Sequence, residues 1–491
     1  MSGGGLRVLV VAGREPWPLN SGNRLHLFHV LRELAVRADV TLALATPPVN
    51  ADQLPAGVRV LAAPSGAVGG DGLTLPPPLP KRAGGRNGHA RAYSQAGGTP
   101  TLPANAGKMP TLPGNAGPPS PASRSGGVRL SWIARRVRRH YGPRDALGAW
   151  LHDTARAEHY DVVMLNGAVY GQLAPFCRLP FVWNPQDELV LHTLRGIGVE
   201  AWRRAPRTLW HAGLYAAYER WVARQAAATI YVSPIDAGYA RRWAGAARIE
   251  VVANGVDLEY FQPDSTPPIP GTLAFVGSLE FPPNIDAIRW FARRVWPTLQ
   301  QTGAARRLLV VGRRPVEAVR RLAEQPGIEV AADVPDVRPY LRQAAVVVVP
   351  TRQGGGLKNK VLEACASRRA VVASPRAVAG LSARLGRDLV VAHGPGDWAR
   401  QVRRLLERPE WAAWVAENGR AWVCQAHRWS WTGARFHEIL ATAAGEVDAR
   451  AVVADVSPGP RNEREFVAPA SVRPRARMNR LQPRSGARLT R

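Results

Sequence analysis

Short runs that are apolar at nearly every position recur along the chain. They are Leu6 to Ala12 (LRVLVVA), Val40 to Ala45, Asp161 to Asn166 (DVVMLN), Pro180 to Asn184 (PFVWN), Ala228 to Ser233, Leu273 to Ser278 (LAFVGS), Arg307 to Gly312, Ile328 to Ala331, Ala344 to Pro350 (AAVVVVP), Ala370 to Ser374 and Asp388 to Ala392. Runs of this length without polar alternation read as parallel strands buried on both faces. Helically spaced stretches separate them, such as Leu25, Phe28, Leu31 and Leu34 after the first run and Pro283 to Phe291 after LAFVGS. Repeated strand, helix and strand is the βαβ pattern of an α/β protein. Ala228 to Ser233 closes a first array and Leu273 opens a second. At 491 residues the chain is too long for one core, so two doubly wound, Rossmann-like domains are expected.

Two stretches break the pattern. Residues 64–127 are rich in Gly, Pro, Ala and Ser and contain the near-repeat Pro100-TLPANAG and Pro110-TLPGNAG. So few apolar residues cannot offset the ordering entropy, which predicts a disordered insert. Residues 445–491 form a Pro- and Arg-rich tail of the same kind. Val128 to Tyr141 (VRLSWIARRVRRHY) resumes as a helix with apolar positions beside Arg135, Arg136, Arg138 and Arg139. Such a helix lies on an anionic membrane surface or packs on a core with a solvated basic face. The divisions expected are an N-terminal domain of 1–63 and 128–255, the insert, a C-terminal domain of 256–428, a crossover helix of 429–444 and the tail.

Charge narrows the partners. A formal net charge of +28 points to polyanions: a nucleotide sugar, an anionic membrane or nucleic acid. No stacked aromatic pattern accompanies the basic tail, so nucleic acid is not expected. Cys177, Cys365 and Cys424 are far apart and read as buried thiols of a reducing cytosol. No window has the length of a transmembrane helix, and the N-terminus lacks signal-peptide character. The expectation is a cytoplasmic protein, peripheral at most to the inner face of the membrane.

The richest chemistry lies in Thr351-Arg-Gln-Gly-Gly-Gly-Leu-Lys-Asn-Lys-Val-Leu-Glu-Ala-Cys-Ala366, between two strand runs. The helix is expected to begin near Leu357, with Gly354, Gly355 and Gly356 at its N-terminus. Unpaired N–H groups and the positive dipole end favour a diphosphate there, and glycines let it approach the backbone. Lys358 and Lys360 add positive charge, and Glu363 suits the hydroxyls of a sugar. A plain βα turn with a solvated basic helix start is the alternative.

This stretch resembles the donor-sugar loop of retaining glycosyltransferases of family 4. The glycine turn followed by NKVLEA is closest to the exopolysaccharide-associated branch. The resemblance implies the GT-B fold, two Rossmann-like domains facing a cleft. It extends to Asn254-Gly-Val-Asp257 with Phe261 and Pro263, the family's interdomain junction, where Gly255 fits a tight turn, and to Asp333–Leu341 near the nucleobase. In the family two glutamates separated by seven residues mark the site; Glu363 matches the second, and Gly355 stands at the first. Gln186-Asp187 stands where a histidine-aspartate pair is common. Asp187 then orients an acceptor hydroxyl or caps a helix. Gly22 and Arg24 face the cleft as ligand contacts or form a routine cap. Gly277 and Ser278 lie where the family holds the donor phosphates, and without its usual Arg and Lys that load passes to Arg352, Lys358 and Lys360, beside Gly356 and Asn359.

The function implied is transfer of a sugar, with retention, from a nucleotide-diphosphate sugar to a hydroxyl of a glycan or lipid-linked acceptor in surface or exopolysaccharide synthesis. No cofactor and no metal is expected, since Asp-x-Asp does not occur. Gly-x-Gly-x-x-Gly and Gly-x-Ser-x-Gly are absent too, against a dinucleotide oxidoreductase and a serine hydrolase. A GT-B-like epimerase is a second enzymatic reading. A catalytically weak nucleotide-sugar-binding scaffold or regulator is the reading from another class.

Overall fold

The computed structural model describes residues 5–19, 22–63, 145–186, 189–190, 205–245, 247–354 and 356–445. The insert, the helix at Val128–Tyr141, the tail, Asp187 and Gly355 lie outside the described residues.

The first domain is built on β1 (Arg7–Ala12), α1 (Gly22–Ala35), β2 (Asp39–Leu44), β3 (Val58–Ala62), α2 (Asp145–Ala157), β4 (Val162–Asn166), β5 (Phe181–Gln186), α3 (Ala205–Ala223), β6 (Ala228–Tyr231), α4 (Pro234–Ala244) and β7 (Ile249–Val251). Its seven strands are parallel in the order β3-β2-β1-β4-β5-β6-β7. The second domain contains β8 (Ile269–Val276), α5 (Pro282–Arg294), β9 (Arg307–Gly312), β10 (Ile328–Ala332), β11 (Ala344–Val349), α6 (Asn359–Ala366), β12 (Ala370–Ala373), β13 (Val390–Val391), α7 (Pro395–Glu407) and α8 (Pro409–Ala426). Its six parallel strands run β10-β9-β8-β11-β12-β13. Each order reverses once, between β1 and β4 and between β8 and β11, and such switch points are where open α/β sheets place ligands.

Both faces of each sheet are covered, which explains the unbroken apolar runs. On the second sheet Leu273 and Phe275 pack with Ile288, Phe291 and Trp398, while Ala274 and Val276 pack with Val361, Leu362 and Trp422. On the first, Leu9 and Val11 meet α2 and α3, and Val8 and Val10 meet α1 and the crossover helix α9 (Trp429–Ala444). Phe436, Ile439 and Leu440 of α9 are fully buried against the first sheet. No helix among the described residues is long and apolar enough to cross a membrane.

Four local expectations are corrected. The first array ends at β7 rather than at Ser233, because Thr229 to Tyr231 pair with Ile249 to Val251. The buried face of α1 is His26, Leu27, His29, Val30, Leu31 and Leu34, with Leu25 and Phe28 only half-buried. The face is turned because α9 lies on it, with the Trp429 ring stacked on His29 at 4.6 Å. The helix after the glycines starts at Asn359 rather than Leu357, with Lys358 as its N-cap. Gly255 serves a close approach rather than a turn: a Cβ there would lie 2.5 Å from the backbone nitrogen of Trp429.

That approach is the junction itself. The chain passes into the second domain at Asn254–Asp257 and returns at His427–Trp429, and the two crossings run side by side. Val256 N donates to His427 O at 2.8 Å, His427 Nδ1 to Asn254 O at 2.9 Å, and Thr432 Oγ1 to Ala253 O at 2.9 Å.

Candidate active site

The second switch point is lined by glycine for a reason that can be measured. A Cβ on Gly277, just past β8, would lie 2.7 Å from Lys360 Nζ and 2.9 Å from Asn284 Nδ2. One on Gly312, at the end of β9, would lie 1.8 Å from the Gly277 carbonyl oxygen. Both contacts are far inside van der Waals distance: a side chain at Gly277 would crowd Lys360, and one at Gly312 would displace the backbone of Gly277. Lys360 Nζ donates to Asn284 Oδ1 at 2.7 Å and rests 4.6 Å above the Phe275 ring. Asn284 is fixed in turn by donating to Ser278 O at 2.9 Å. Asn284 is thus the residue that holds Lys360.

Glu363, one turn further along α6, shares this crowded setting. Burial pushes its carboxyl up to about 7, with the Lys360 charge opposing the rise. Burial pushes Lys360 down to about 7, opposed by Glu363 and reinforced by Lys358. Both side chains keep an edge on solvent, and among the described residues the Glu363 carboxylate accepts no hydrogen bond. The result is a cation and a carboxylate whose charge states respond to whatever binds beside them.

The glycine loop above α6 has left-handed backbone at Gly354 (φ 94°) and Gly356 (φ 68°), a conformation that disfavours any side chain. It faces the start of α4 across a narrow crevice lined by Ser233, Ile235 and Asp236 from the first domain and by Gly354, Gly356, Arg376 and Ala379 from the second. Arg352 turns to α5, with Nη1 3.5 Å from Asp286 Oδ1 and the guanidinium 5.6 Å over Trp290. There it joins Arg289, Arg293 and Arg294 around a cavity of about 340 Å³. Lys358 caps α6, and Asn359 Oδ1 accepts from Asn254 Nδ2 at 3.0 Å, so it looks toward the junction.

From the first domain come Gly22, the opening residue of α1 with open space around its Cα, and Arg24, whose Nη1 reaches Pro18 O at 3.5 Å. Burial holds Arg313, after β9, below its ordinary value, and the charges of Arg314 and of Arg24 across the cleft add to the fall. Like charges brought together from opposite domains favour an anion between them. Ser278 Oγ is turned to Glu280 at 3.4 Å. In the segment likened to the nucleobase contact, Arg338 stacks 4.0 Å over Tyr260 and pairs with Asp336 at 2.8 Å.

The first switch point carries residues that sequence reasoning missed. Asn166 ends β4, Asn184 lies within β5, His26 lies in α1, and all three are buried. His26 Nε2 lies 3.1 Å from Asn184 Nδ2, and its Nδ1 lies 2.7 Å from Asn254 Oδ1. Their signals were an asparagine closing each of two apolar runs and imidazoles inside an apolar helix face.

Comparison with known proteins agrees with this architecture. The model of the family described as "Glycosyl transferases group 1" matches residues 270–408, and that of "Glycosyltransferase Family 4" matches residues 90–260. The D-inositol 3-phosphate glycosyltransferase of Streptosporangium roseum is 29% identical over 224 residues, 41% of this chain and 51% of that protein. The chain thus spans about half the length of this curated relative. Among solved structures, sucrose-phosphate synthase from Thermosynechococcus elongatus superimposes with a TM-score of 0.61 at 14% identity, covering 90% of this chain and all of the other. Anabaena HepE in complex with UDP and glucose gives 0.53 at 13%, covering 89% of this chain and 100% of that one. WaaG, a glycosyltransferase of lipopolysaccharide biosynthesis, gives 0.54 at 12%, covering 88% and 99%. The fold is GT-B, and the matched families and the curated relative support a glycosyltransferase.

Proposed function

We infer that this GT-B protein transfers a sugar, with retention, from a nucleoside-diphosphate sugar to a hydroxyl of a glycan or lipid-linked acceptor in surface polysaccharide synthesis. The observation that carries the reading is the seat of Lys360: a bare strand end at Gly277, an amide anchor at Asn284, and Glu363 beside it. The HepE structures with UDP, and with UDP-glucose, support a nucleotide-sugar donor for a chain of the same fold.

In this mechanism the bond between the anomeric carbon and the diphosphate oxygen breaks while the acceptor oxygen bonds to the same carbon from the same face. The acceptor proton passes to the departing phosphate. The protein's task is to hold the diphosphate and meet its growing charge. Lys360, Lys358 and the N–H groups of the glycine loop do this, with Arg24 from the opposite domain. Glu363 accepts hydrogen bonds from donor hydroxyls, and Asp187 orients the acceptor hydroxyl. No metal or cofactor is assigned a part. Gly355 in place of the family's first glutamate favours one other reading, a scaffold that binds the nucleotide sugar without transferring it.

The deciding experiment incubates the purified chain with a panel of nucleoside-diphosphate sugars and lipid-linked acceptors. Release of nucleoside diphosphate, with a product whose NMR coupling shows a retained anomeric configuration, is the expected result. Retained binding by calorimetry with no product across the panel would favour the scaffold. Peripheral attachment is tested separately, by co-sedimentation with anionic vesicles before and after Arg135, Arg136, Arg138 and Arg139 are changed to Gln. Equal sedimentation of both forms would remove that helix as the anchor.

A further inference from the structure

An unbroken run of neutral side-chain hydrogen bonds links the two switch points. It starts at Gln186, the residue before Asp187, whose backbone is held at a φ of 74°. Gln186 Nε2 donates to Asn166 Oδ1 at 3.3 Å, and the same oxygen accepts from Asn184 Nδ2 at 2.9 Å. Asn184 Nδ2 also meets His26 Nε2 at 3.1 Å, and His26 Nδ1 meets Asn254 Oδ1 at 2.7 Å. Asn254 Nδ2 then donates to Asn359 Oδ1 at 3.0 Å, on the first residue of α6.

The directions of donation determine the ring. Asn254 turns its amide hydrogens to Asn359, so its oxygen faces His26 and Nδ1 must carry the hydrogen. Nε2 is left as the acceptor that the Asn184 amide requires. Only the neutral Nδ1–H tautomer satisfies both neighbours, and a charged ring would set two donors against each other. Buried polar networks in which the partners match in direction are stiff and specific. A histidine that merely fills a core would find partners within its own domain. His26 takes one from β5 and the other from the interdomain junction, which itself reaches the donor helix.

We propose that His26 is a positioning residue for transfer. Through Asn184 and Asn166 it sets Gln186 at the acceptor side of the cleft. Through Asn254 it sets Asn359 at the start of the donor helix. One ring thereby fixes the spacing between the acceptor loop and the diphosphate seat. The proposal rests on the glycosyltransferase reading for its kinetic part and on UDP binding alone for its donor part.

The test uses two variants of the full chain. His26→Asn places an amide nitrogen near Nδ1, keeping the bond to Asn254 and losing the one to Asn184. His26→Gln places its amide near Nε2, keeping Asn184 and losing Asn254. With both folded, UDP affinity by calorimetry should be unchanged in His26→Asn and fall five- to tenfold in His26→Gln. In His26→Asn, acceptor KM should rise and kcat fall about tenfold with donor KM unchanged. Equal effects of the two variants on every constant, or none on either, would overturn the proposal. If the wild type binds UDP but transfers nothing, the transferase reading fails while the UDP arm still decides the donor half. If neither variant folds, Asn359→Ala breaks the last link at the half-exposed end, and an unchanged UDP affinity there overturns the donor half. Nitrogen NMR of the labelled wild type must show a neutral Nδ1–H ring at pH 7; an Nε2–H or charged ring overturns the relay.

Discussion

The two domains share one topology around their switch points and fill them with opposite chemistry. Between β8 and β11 stand Lys360 and Glu363, each brought close to neutrality by burial and each in the field of the other. Between β1 and β4 and along β5 stand amides and a neutral imidazole: Asn166, Asn184, Gln186 and His26. A seat that must meet a changing phosphate charge needs groups able to take up or release a proton. A seat that must orient a neutral hydroxyl needs direction without charge, which amides supply. One fold thus yields a responsive half and a rigid half.

Acid should separate the halves most. Burial pushes His26 down to about 4 and His29 down to about 3, and lowers His427 as well. A base with a depressed folded pKa binds fewer protons when folded than unfolded. The stability it contributes is therefore full above the unfolded value near 6.5 and is lost as pH falls through the window toward 4. We expect several kcal/mol of lost stability between pH 7 and pH 4, read by chemical denaturation at each pH. A flat profile would mean that the imidazoles are solvated.

Next in size is Lys360→Met, which should cost about a hundredfold in UDP affinity, on the order of 3 kcal/mol, by calorimetry. The matching change in the rigid half, Asn184→Ala, should instead lower stability by about 1–3 kcal/mol and leave UDP affinity alone. If both lost affinity alike, the contrast between the halves would collapse. Glu363→Ala should weaken donor-sugar binding by about 2 kcal/mol with less effect on UDP, which lacks the sugar. Gly277→Ala, which drives a methyl into Lys360, should cost about 1–3 kcal/mol of stability at most and weaken UDP binding by displacing that ammonium. Gly22→Ala, with open space around it, should leave the melting temperature unchanged. Smallest is a proton count. Because burial pushes Lys360 down to about 7, binding of a diphosphate at pH 8 should take up a fraction of a proton, measured by calorimetry in buffers of different ionisation enthalpy. UDP affinity should decline as pH rises through 7.

The central strands were legible because a parallel strand covered on both faces must be apolar throughout, as AAVVVV and RVLVVA are. Edge strands escape that rule. β3 (VRVLA) is half solvated, and β7 has three residues, so neither stood out. The glycine loop and the start of α6 were legible because their glycines, lysines and glutamate are contiguous in the chain. The relay was not, because residues 26, 166, 184, 254 and 359 come together only in the folded molecule. Asparagine and histidine do not announce burial by their letters. The face of α1 was misjudged for the same reason: its cover, α9, lies roughly four hundred residues downstream.

That distance also bears on how the protein is made. A ribosome moving from the first residue onward completes all seven strands of the first sheet by Val251, yet the apolar groove that receives Phe436, Ile439 and Leu440 stays bare until α9 emerges. Of the two domains, the one translated earlier is therefore sealed last, and the whole of the second is synthesised within that interval. Residues 1–255 produced alone should bind a hydrophobic dye and attract chaperones, and a synthetic α9 peptide supplied in trans should quench both.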